Sequence, residues 1–210
     1  MSTEQERFWQ STFGDEYSDR NDMGVQALNL MYTTRYGSSR SVMNREFLSG
    51  RDISTIFEVG CNIGNQLSLL SQMGFNNLTG IEINARAVKT AKKRLPNANI
   101  IQGSALALPF PNNYFDLVFT AGVLIHIRPG DVEKAMAEIH RVSKRYIWGF
   151  EYFAPIREEI IYRGHKNRLW KTDFARLYRD LFPDLMLLQE KRYQYSTDKN
   201  IDSMFLLEKT

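Results

Sequence analysis

The spacing of apolar positions changes near residue 50, and the change divides the chain into two stretches. Residues 1–50 are polar and aromatic-studded, and Leu28, Met31 and Tyr32 recur at a spacing that suits one helix face. Beyond residue 50, short β-branched and aromatic runs alternate with helical stripes. Residues 54–59 predict a buried strand ending at Gly60. Residues 64–73 predict a helix with Leu67, Leu70 and Met73 on one side and Gly74 as its left-handed stop. A second strand follows at 78–83, and then a helix at 85–95 that aligns Val88, Ala91 and Leu95 before Pro96 ends it. Residues 99–102 and 115–120 predict two more strands. Val132, Ala135, Met136 and Ile139 fall at i, i+3, i+4 and i+7, the clearest helical stripe in the chain. Residues 146–153 predict a fifth strand, Phe174, Leu177, Tyr178, Leu181 and Phe182 another helix, and 185–195 and 203–208 two final strands.

Alternation of this kind specifies an α/β domain with a mainly parallel sheet. Only residues 196–200 separate the last two strands, too few for a right-handed crossover, so the pair is expected to form an antiparallel hairpin. The expected architecture is a Rossmann-like, seven-stranded, mainly parallel sheet with an antiparallel last strand over 51–210, and a helical cap over 1–50. A nicotinamide-type Rossmann domain would instead continue with another crossover helix.

Composition narrows the function classes. The 210 residues are 43% hydrophobic, enough to bury roughly 70% of the unfolded surface in one core. With 27 Lys plus Arg against 24 Asp plus Glu, the net charge is +3 and no run of five like charges occurs. That balance is not the footprint of a nucleic-acid or anionic-membrane clamp. Cys61 is the sole cysteine and the three histidines are scattered, so neither an intramolecular disulfide nor a Cys/His zinc site is expected. The uncharged stretches 59–81 and 95–115 are interrupted by amides, hydroxyls or prolines, so neither reads as a membrane span. The start, MSTEQER, lacks the basic and apolar segments of a signal peptide. These readings point to a cytoplasmic protein, and the expected partner is a small-molecule substrate of a monomer or homodimer.

In open α/β sheets the ligand lies beyond the carboxyl ends of the strands. The first strand delivers Glu58-Val59-Gly60-Cys61-Asn62-Ile63-Gly64-Asn65 there, with a G-x-x-x-G spacing. Dinucleotide binding asks for G-x-G-x-x-G, and Asn62 stands where the second glycine would admit a pyrophosphate. A glycine pair between strand and helix is also ordinary structural punctuation. Glu82 lies 24 positions after Glu58 at the end of the second strand, where a carboxylate can accept hydrogen bonds from both ribose hydroxyls or simply meet solvent. Gly103-Ser104-Ala105 offers small residues and a hydroxyl to an adenine.

Taken together, E-V-G-C-N-I-G, G-I-E-I, Q-G-S-A and F-D-L-V-F-T-A-G-V-L-I-H-I resemble the successive motifs of class I S-adenosylmethionine (SAM) dependent methyltransferases over about 53–208. The resemblance implies that Glu58 reaches toward the methionine end, Glu82 holds ribose, and Ser104 with Ala105 holds adenine. The cofactor-binding set it implies comprises Tyr17, Arg20, Glu58, Gly60, Cys61, Asn62, Gly64, Asn65, Glu82, Ile83, Ser104, Ala105 and Thr120. Asn62 stands where that family commonly has a third glycine. A narrower resemblance, carried by Phe13-Gly14-Asp15-Glu16-Tyr17 with Arg20-Asn21, by Gly60-Cys61-Asn62-Ile63-Gly64-Asn65 and by Tyr162-Arg163-Gly164-His165, is to the group labelled pseudaminic acid biosynthesis-associated methylases. It suggests a sugar-acid or amino-acid-like acceptor.

Methyl transfer from a sulfonium is an in-line displacement from an activated donor, so alignment and exclusion of water do most of the catalysis, and no metal is needed. A base is required only for a hydroxyl or a protonated amine. His126, six residues past Thr120, is the candidate base, or else packs a short turn over the core. Glu151 and Tyr152 end the fifth strand and either orient an acceptor or meet solvent. Tyr162, Arg163 and His165, with Arg168 and Lys171, either bind an anionic acceptor group or form a solvated face. Phe8, Trp9, Phe13 and Tyr17 either fold over the cofactor as a lid, near a sulfonium that an aromatic face would attract, or pack as ordinary core. The rival readings are a nicotinamide-dependent oxidoreductase and a SAM-binding protein without turnover.

Overall fold

The computed structural model describes residues 2–210. The chain divides into two units, one ending at Ala105 and the other running Leu106–Thr210.

In the first unit four helices precede the first strand: α1 (Glu4–Gln10), α2 (Thr12–Arg20), α3 (Val25–Tyr36) and α4 (Arg40–Leu48). Each boundary has a local cause. Thr3 and Glu6 form a reciprocal capping box at the start of α1, and the Ser11 and Ser39 hydroxyls accept backbone N–H groups of α2 and α4. Of the three residues expected to share a helix face, Leu28 and Tyr32 are buried and Met31 is half-buried. The strands β1 (Ile56–Val59), β2 (Leu78–Glu82) and β3 (Asn99–Gln102) pair in parallel, with Ile56 opposite Leu78 and Thr79 opposite Asn99. Between them run α5 (Asn65–Gln72) and α6 (Ala85–Arg94). All of β1 is buried, as a strand covered on both faces must be.

The second unit holds β4 (Phe115–Ala121), a 3-10 turn (Leu124–His126), α7 (Pro129–Val142), β5 (Ser143–Tyr152), α8 (Phe174–Leu181), β8 (Leu185–Gln194) and β9 (Ile201–Lys209). Strand β5 pairs parallel with β4, and β9 runs antiparallel to both β5 and β8. The strand order of the seven-stranded sheet is β3-β2-β1-β4-β5-β9-β8. The closing hairpin therefore forms as its short connection requires, and β9 is the reversed strand. Gly149 makes that pairing possible, because a Cβ there would stand 2.1 Å from the Phe205 ring that crosses it.

Two features depart from the pattern. Strand β5 begins at Ser143, three residues before the predicted start, because Ser143 pairs with Phe115 across a bulge. Between β5 and α8 the chain forms an arm closed by two short strands, β6 (Glu158–Glu159) and β7 (Trp170–Lys171), too brief to show a period of two. Among the described residues no helix is long and apolar enough to cross a membrane.

Candidate functional site

In the first unit the ends of β1 and β2 open onto loop 60–64, whose backbone turns left-handed three times: Gly60 has φ +75°, Asn62 +46° and Gly64 +81°. Asn62 thus adopts the conformation that a third glycine would otherwise supply, and asparagine is among the side chains that tolerate it. At Gly64 a Cβ would also press within 2.8 Å of Leu95, so the loop enters α5 through a close approach.

Glu82 braces this loop. Its carboxylate accepts the Asn62 N–H at 2.9 Å and the Asn84 N–H at 2.8 Å. Burial raises its pKa, and these backbone N–H groups pull it back. Cys61 is packed against Gly80, where a Cβ would lie 2.7 Å from the thiol sulfur, and burial pushes that thiol well up. Asn65 joins neighbouring elements: its amide donates to the Asn21 carbonyl at 2.8 Å, and its Oδ1 accepts from Arg94. Ile83 is half-buried, with its carbonyl accepting from Gln102 at 3.2 Å.

The amino-terminal helices reach the same edge. The Ser104 hydroxyl donates to Glu6 of α1, beside half-buried Ala105. Asn84 donates to the Trp9 carbonyl and to Asp15, at 3.1 and 2.8 Å. Trp9 meets Phe13 and Tyr17 edge-on, with ring centroids 5.6 and 5.2 Å apart. Arg20 is exposed, 3.5 Å from Glu16.

Glu58 differs from Glu82. It is buried, burial drives its pKa well up, and the Arg40 charge on α4 together with the Leu67 N–H opposes that rise. Its Oε2 has no hydrogen-bond partner, and neither do Asn62 Oδ1, Gln66 Oε1 or either amide atom of Asn44. Asn44 is fully buried one helical turn after Arg40, which is itself fully buried with its guanidinium 5.3 Å from the Tyr32 ring centre. A buried polar atom left unanswered costs about 1–3 kcal/mol, so these atoms are candidate contacts for a polar ligand.

In the second unit Glu151 accepts the Val123 and Ile125 N–H groups at 3.1 and 3.4 Å and is hydrogen-bonded by Thr120. Burial pushes its carboxyl up to about 7. The 3-10 turn held in this way carries His126, whose Nδ1 lies 2.8 Å from the Arg168 carbonyl. A carbonyl only accepts, so Nδ1 bears the hydrogen and Nε2 keeps its lone pair. Burial lowers the imidazole to about 4, so it is neutral near pH 7. The Tyr162 ring stands 4.9 Å away. Tyr152 is half-buried, 6.0 Å from Lys171 Nζ and 6.4 Å from the Tyr195 ring.

The structure therefore brings Thr120, Glu151, His126 and Tyr162 together. It places Arg163 and His165 on the exposed tip of the arm, in a turn with left-handed Arg163 and Gly164 closed by two 2.9 Å backbone bonds between Tyr162 and His165. Arg40, Asn44, Glu6, Asn84 and the Arg168 carbonyl escaped sequence reasoning. Only Asn84 carried a local signal, as the residue capping α6.

A family model described as a methyltransferase domain matches residues 57–146, which span β1 to the start of β5. Residues 57–146 are thus similar to methyltransferase domains. The chain is also similar to an uncharacterized methyltransferase of Synechocystis sp., 32% identical over 89 residues, covering 42% of each chain. A phthiotriol/phenolphthiotriol dimycocerosates methyltransferase of Mycobacterium leprae is 31% identical over 131 residues, covering 61% of this chain and 44% of that one. The chain spans under half the length of these curated relatives. Among solved structures, the magnesium protoporphyrin IX methyltransferase of Synechocystis with bound SAM aligns at TM-score 0.72 and 16% identity, covering 100% of this chain and 99% of that one. At that identity the likeness speaks for the fold alone.

Proposed function

We propose that the protein transfers a methyl group from SAM to the nitrogen or oxygen of a polar, anionic small molecule, a sugar acid or an amino-acid-like compound. The observation that carries the donor is the polar edge of β1 and β2, where Glu58, Asn62 and Gln66 keep buried acceptor atoms unanswered and Glu82 stiffens the turn between them. Buried Glu58 and half-buried Glu82 would repel a pyrophosphate, whereas they suit a ligand with hydroxyls and an ammonium group. The edge fits SAM: Glu82 on the ribose, Ser104 with Ala105 at the adenine, and loop 60–64 along the methionine chain. When bound, SAM supplies a methyl group already activated on sulfur.

The rest falls to this chain. The aromatic groups of α1 and α2, tied to the β2 end through Asn84, act as a lid that excludes water. His126 takes the proton of a hydroxyl or ammonium acceptor at Nε2, the Arg168 carbonyl fixing its tautomer and Glu151 holding the turn that carries it. Tyr152 orients the acceptor, and Arg163, His165 and Tyr162 of the arm draw in its anionic group. The reaction is assigned to the cytoplasm, with neither membrane nor nucleic acid required.

Methyl-labelled SAM, offered with a panel of sugar acids and amino acids and with a sterol and magnesium protoporphyrin IX as lipophilic comparisons, tests the acceptor class. Label is expected in the anionic polar compounds. Label confined to the lipophilic compounds contradicts the acceptor assignment, and no label in any compound contradicts turnover.

A further inference from the structure

Asn84 lies just past the end of β2, is 3% exposed, and bonds through its N–H and both side-chain amide atoms. Its N–H donates to Glu82 at 2.8 Å, and its Oδ1 accepts the Ala87 N–H at 2.9 Å, which caps α6. The amide hydrogens go elsewhere: Nδ2 donates to the Trp9 carbonyl at the end of α1 and to Asp15 of α2, residues 75 and 69 positions away. A cap needs only the oxygen, so serine or aspartate would serve α6 as well, whereas an amide both caps the helix and donates across to its neighbours. Gly14 admits this contact: it is buried in α2, and a Cβ there would collide with the Trp9 carbonyl and stand 2.9 Å from Asn84 Nδ2. Two ion pairs flank it, Asp19 with Arg86 and Asp22 with Arg94, but both bonds are exposed and screened, so each holds weakly. The same segment touches the two neighbouring loops, where Glu6 takes the Ser104 hydroxyl and the Asn21 carbonyl takes the Asn65 amide.

We propose that Asn84 is the latch of the amino-terminal lid, a positioning residue that ties α1 and α2 to the acid of β2 and sets the rate at which the donor and its product pass. This inference rests on the donor and lid reading above and names the bonds that must break when the lid opens. The backbone of Asn84 braces Glu82, the acid assigned to ribose, while its side chain carries the lid, so the seat and its cover share one residue. The bond from Nδ2 to Asp15 is charge-assisted and sheltered by the burial of Asn84, which makes it the strongest link in the seam. Opening breaks both Nδ2 bonds and the Glu6 to Ser104 bond, and Asn84 stays with α6 because its oxygen holds the cap. A latch of this kind slows entry and exit together, since a ligand passes only while the lid is open, and it changes the affinity less than either rate.

Asn84→Ser tests the latch, because a serine hydroxyl still caps α6 but is too short to reach Trp9 or Asp15. Stopped-flow mixing with S-adenosylhomocysteine is expected to show association and dissociation both faster by about tenfold or more, as the loss of a charge-assisted hydrogen bond allows, with the equilibrium affinity within about threefold. Hydrogen exchange of the ligand-free protein is expected to speed up across α1 and α2 and to keep the parent's rate across α6. In Asn84→Asp the bond to Asp15 becomes a repulsion, and adding Asp15→Asn returns a donor to the pair, so the double variant is expected to regain most of the parent's slow exchange. Faster dissociation with unchanged association, or faster exchange across α6, makes Asn84 a structural cap and overturns the latch, as do unchanged rates throughout. If the intact protein binds no S-adenosylhomocysteine, the donor reading falls, and hydrogen exchange alone decides the latch: faster exchange confined to α1 and α2 supports it, and unchanged protection there overturns it.

Discussion

Glu58 in the first unit and Glu151 in the second are both buried near the carboxyl ends of parallel strands, at 2% and 1% exposure, and they differ in what answers them. Glu151 is satisfied by its own chain: the N–H groups of Val123 and Ile125 and the Thr120 hydroxyl close around it, and it pins the turn that carries His126. Glu58 keeps one oxygen unanswered, with unanswered atoms of Asn44, Asn62 and Gln66 elsewhere in its unit and the Arg40 charge acting on it. A carboxylate completed by its own chain can hold its loop without a ligand, and one left incomplete has an oxygen still able to accept a hydrogen bond. Glu82 falls with Glu151 in this respect, both its oxygens taken by backbone, so any hydrogen bond to a ribose would be shared with its bracing role.

The comparison breaks most visibly at the groups it holds in place. His126→Ala is expected to slow methyl transfer by about 10²–10⁴-fold with S-adenosylhomocysteine binding retained, as measured by single-turnover label transfer alongside calorimetry. A rate within a few-fold of the parent would make the imidazole a packing group. Glu58→Ala removes the buried carboxyl on which the Arg40 charge acts, so urea unfolding should show a loss of stability together with loss of S-adenosylhomocysteine binding.

Glu151 sharpens the contrast through pH. Its carboxyl sits near 7 in the folded protein against an ordinary 4.5, so the folded state holds the proton more tightly. The stability this gives is present in full below pH 4.5 and is lost as pH rises through about 7. The loss is on the order of 3 kcal/mol, and Glu151→Gln should be free of it when urea midpoints at pH 5 and pH 8 are compared. His126 has the opposite sign: lowered to about 4, it contributes stability above its ordinary 6.5 that is lost as pH falls through about 4. The smallest effect belongs to the exposed Arg86 to Asp19 pair between α6 and α2, where Arg86→Gln should cost under about 1 kcal/mol in urea unfolding.

The regions differ too in how far they could be read from the chain. Strand and helix periods located all seven strands of the sheet, and the short 196–200 connection predicted the reversal of β9, because connection length limits topology directly. The loop glycines were equally legible, since a strand that ends in G-x-x-x-G has few conformations open to it. Arg40 and Asn44 were not legible: polar residues on an amphipathic helix ordinarily face water, and nothing local shows that these two turn inward. The same holds for the Glu6 to Ser104 bond and for the Arg168 carbonyl on His126, contacts between residues 98 and 42 positions apart. Glu58 and Glu151 look alike in sequence, each near the end of an apolar strand, and only the bonds around them separate their roles.

The central claim is that the β1 and β2 edge of the first unit takes up SAM, and equilibrium dialysis of labelled SAM against the intact protein and its Glu58→Ala variant measures it most directly. The account predicts saturable binding at or below about tens of micromolar, displaced by S-adenosylhomocysteine and lost in the variant. No saturable uptake by the intact protein, or uptake that Glu58→Ala leaves unchanged, would contradict it.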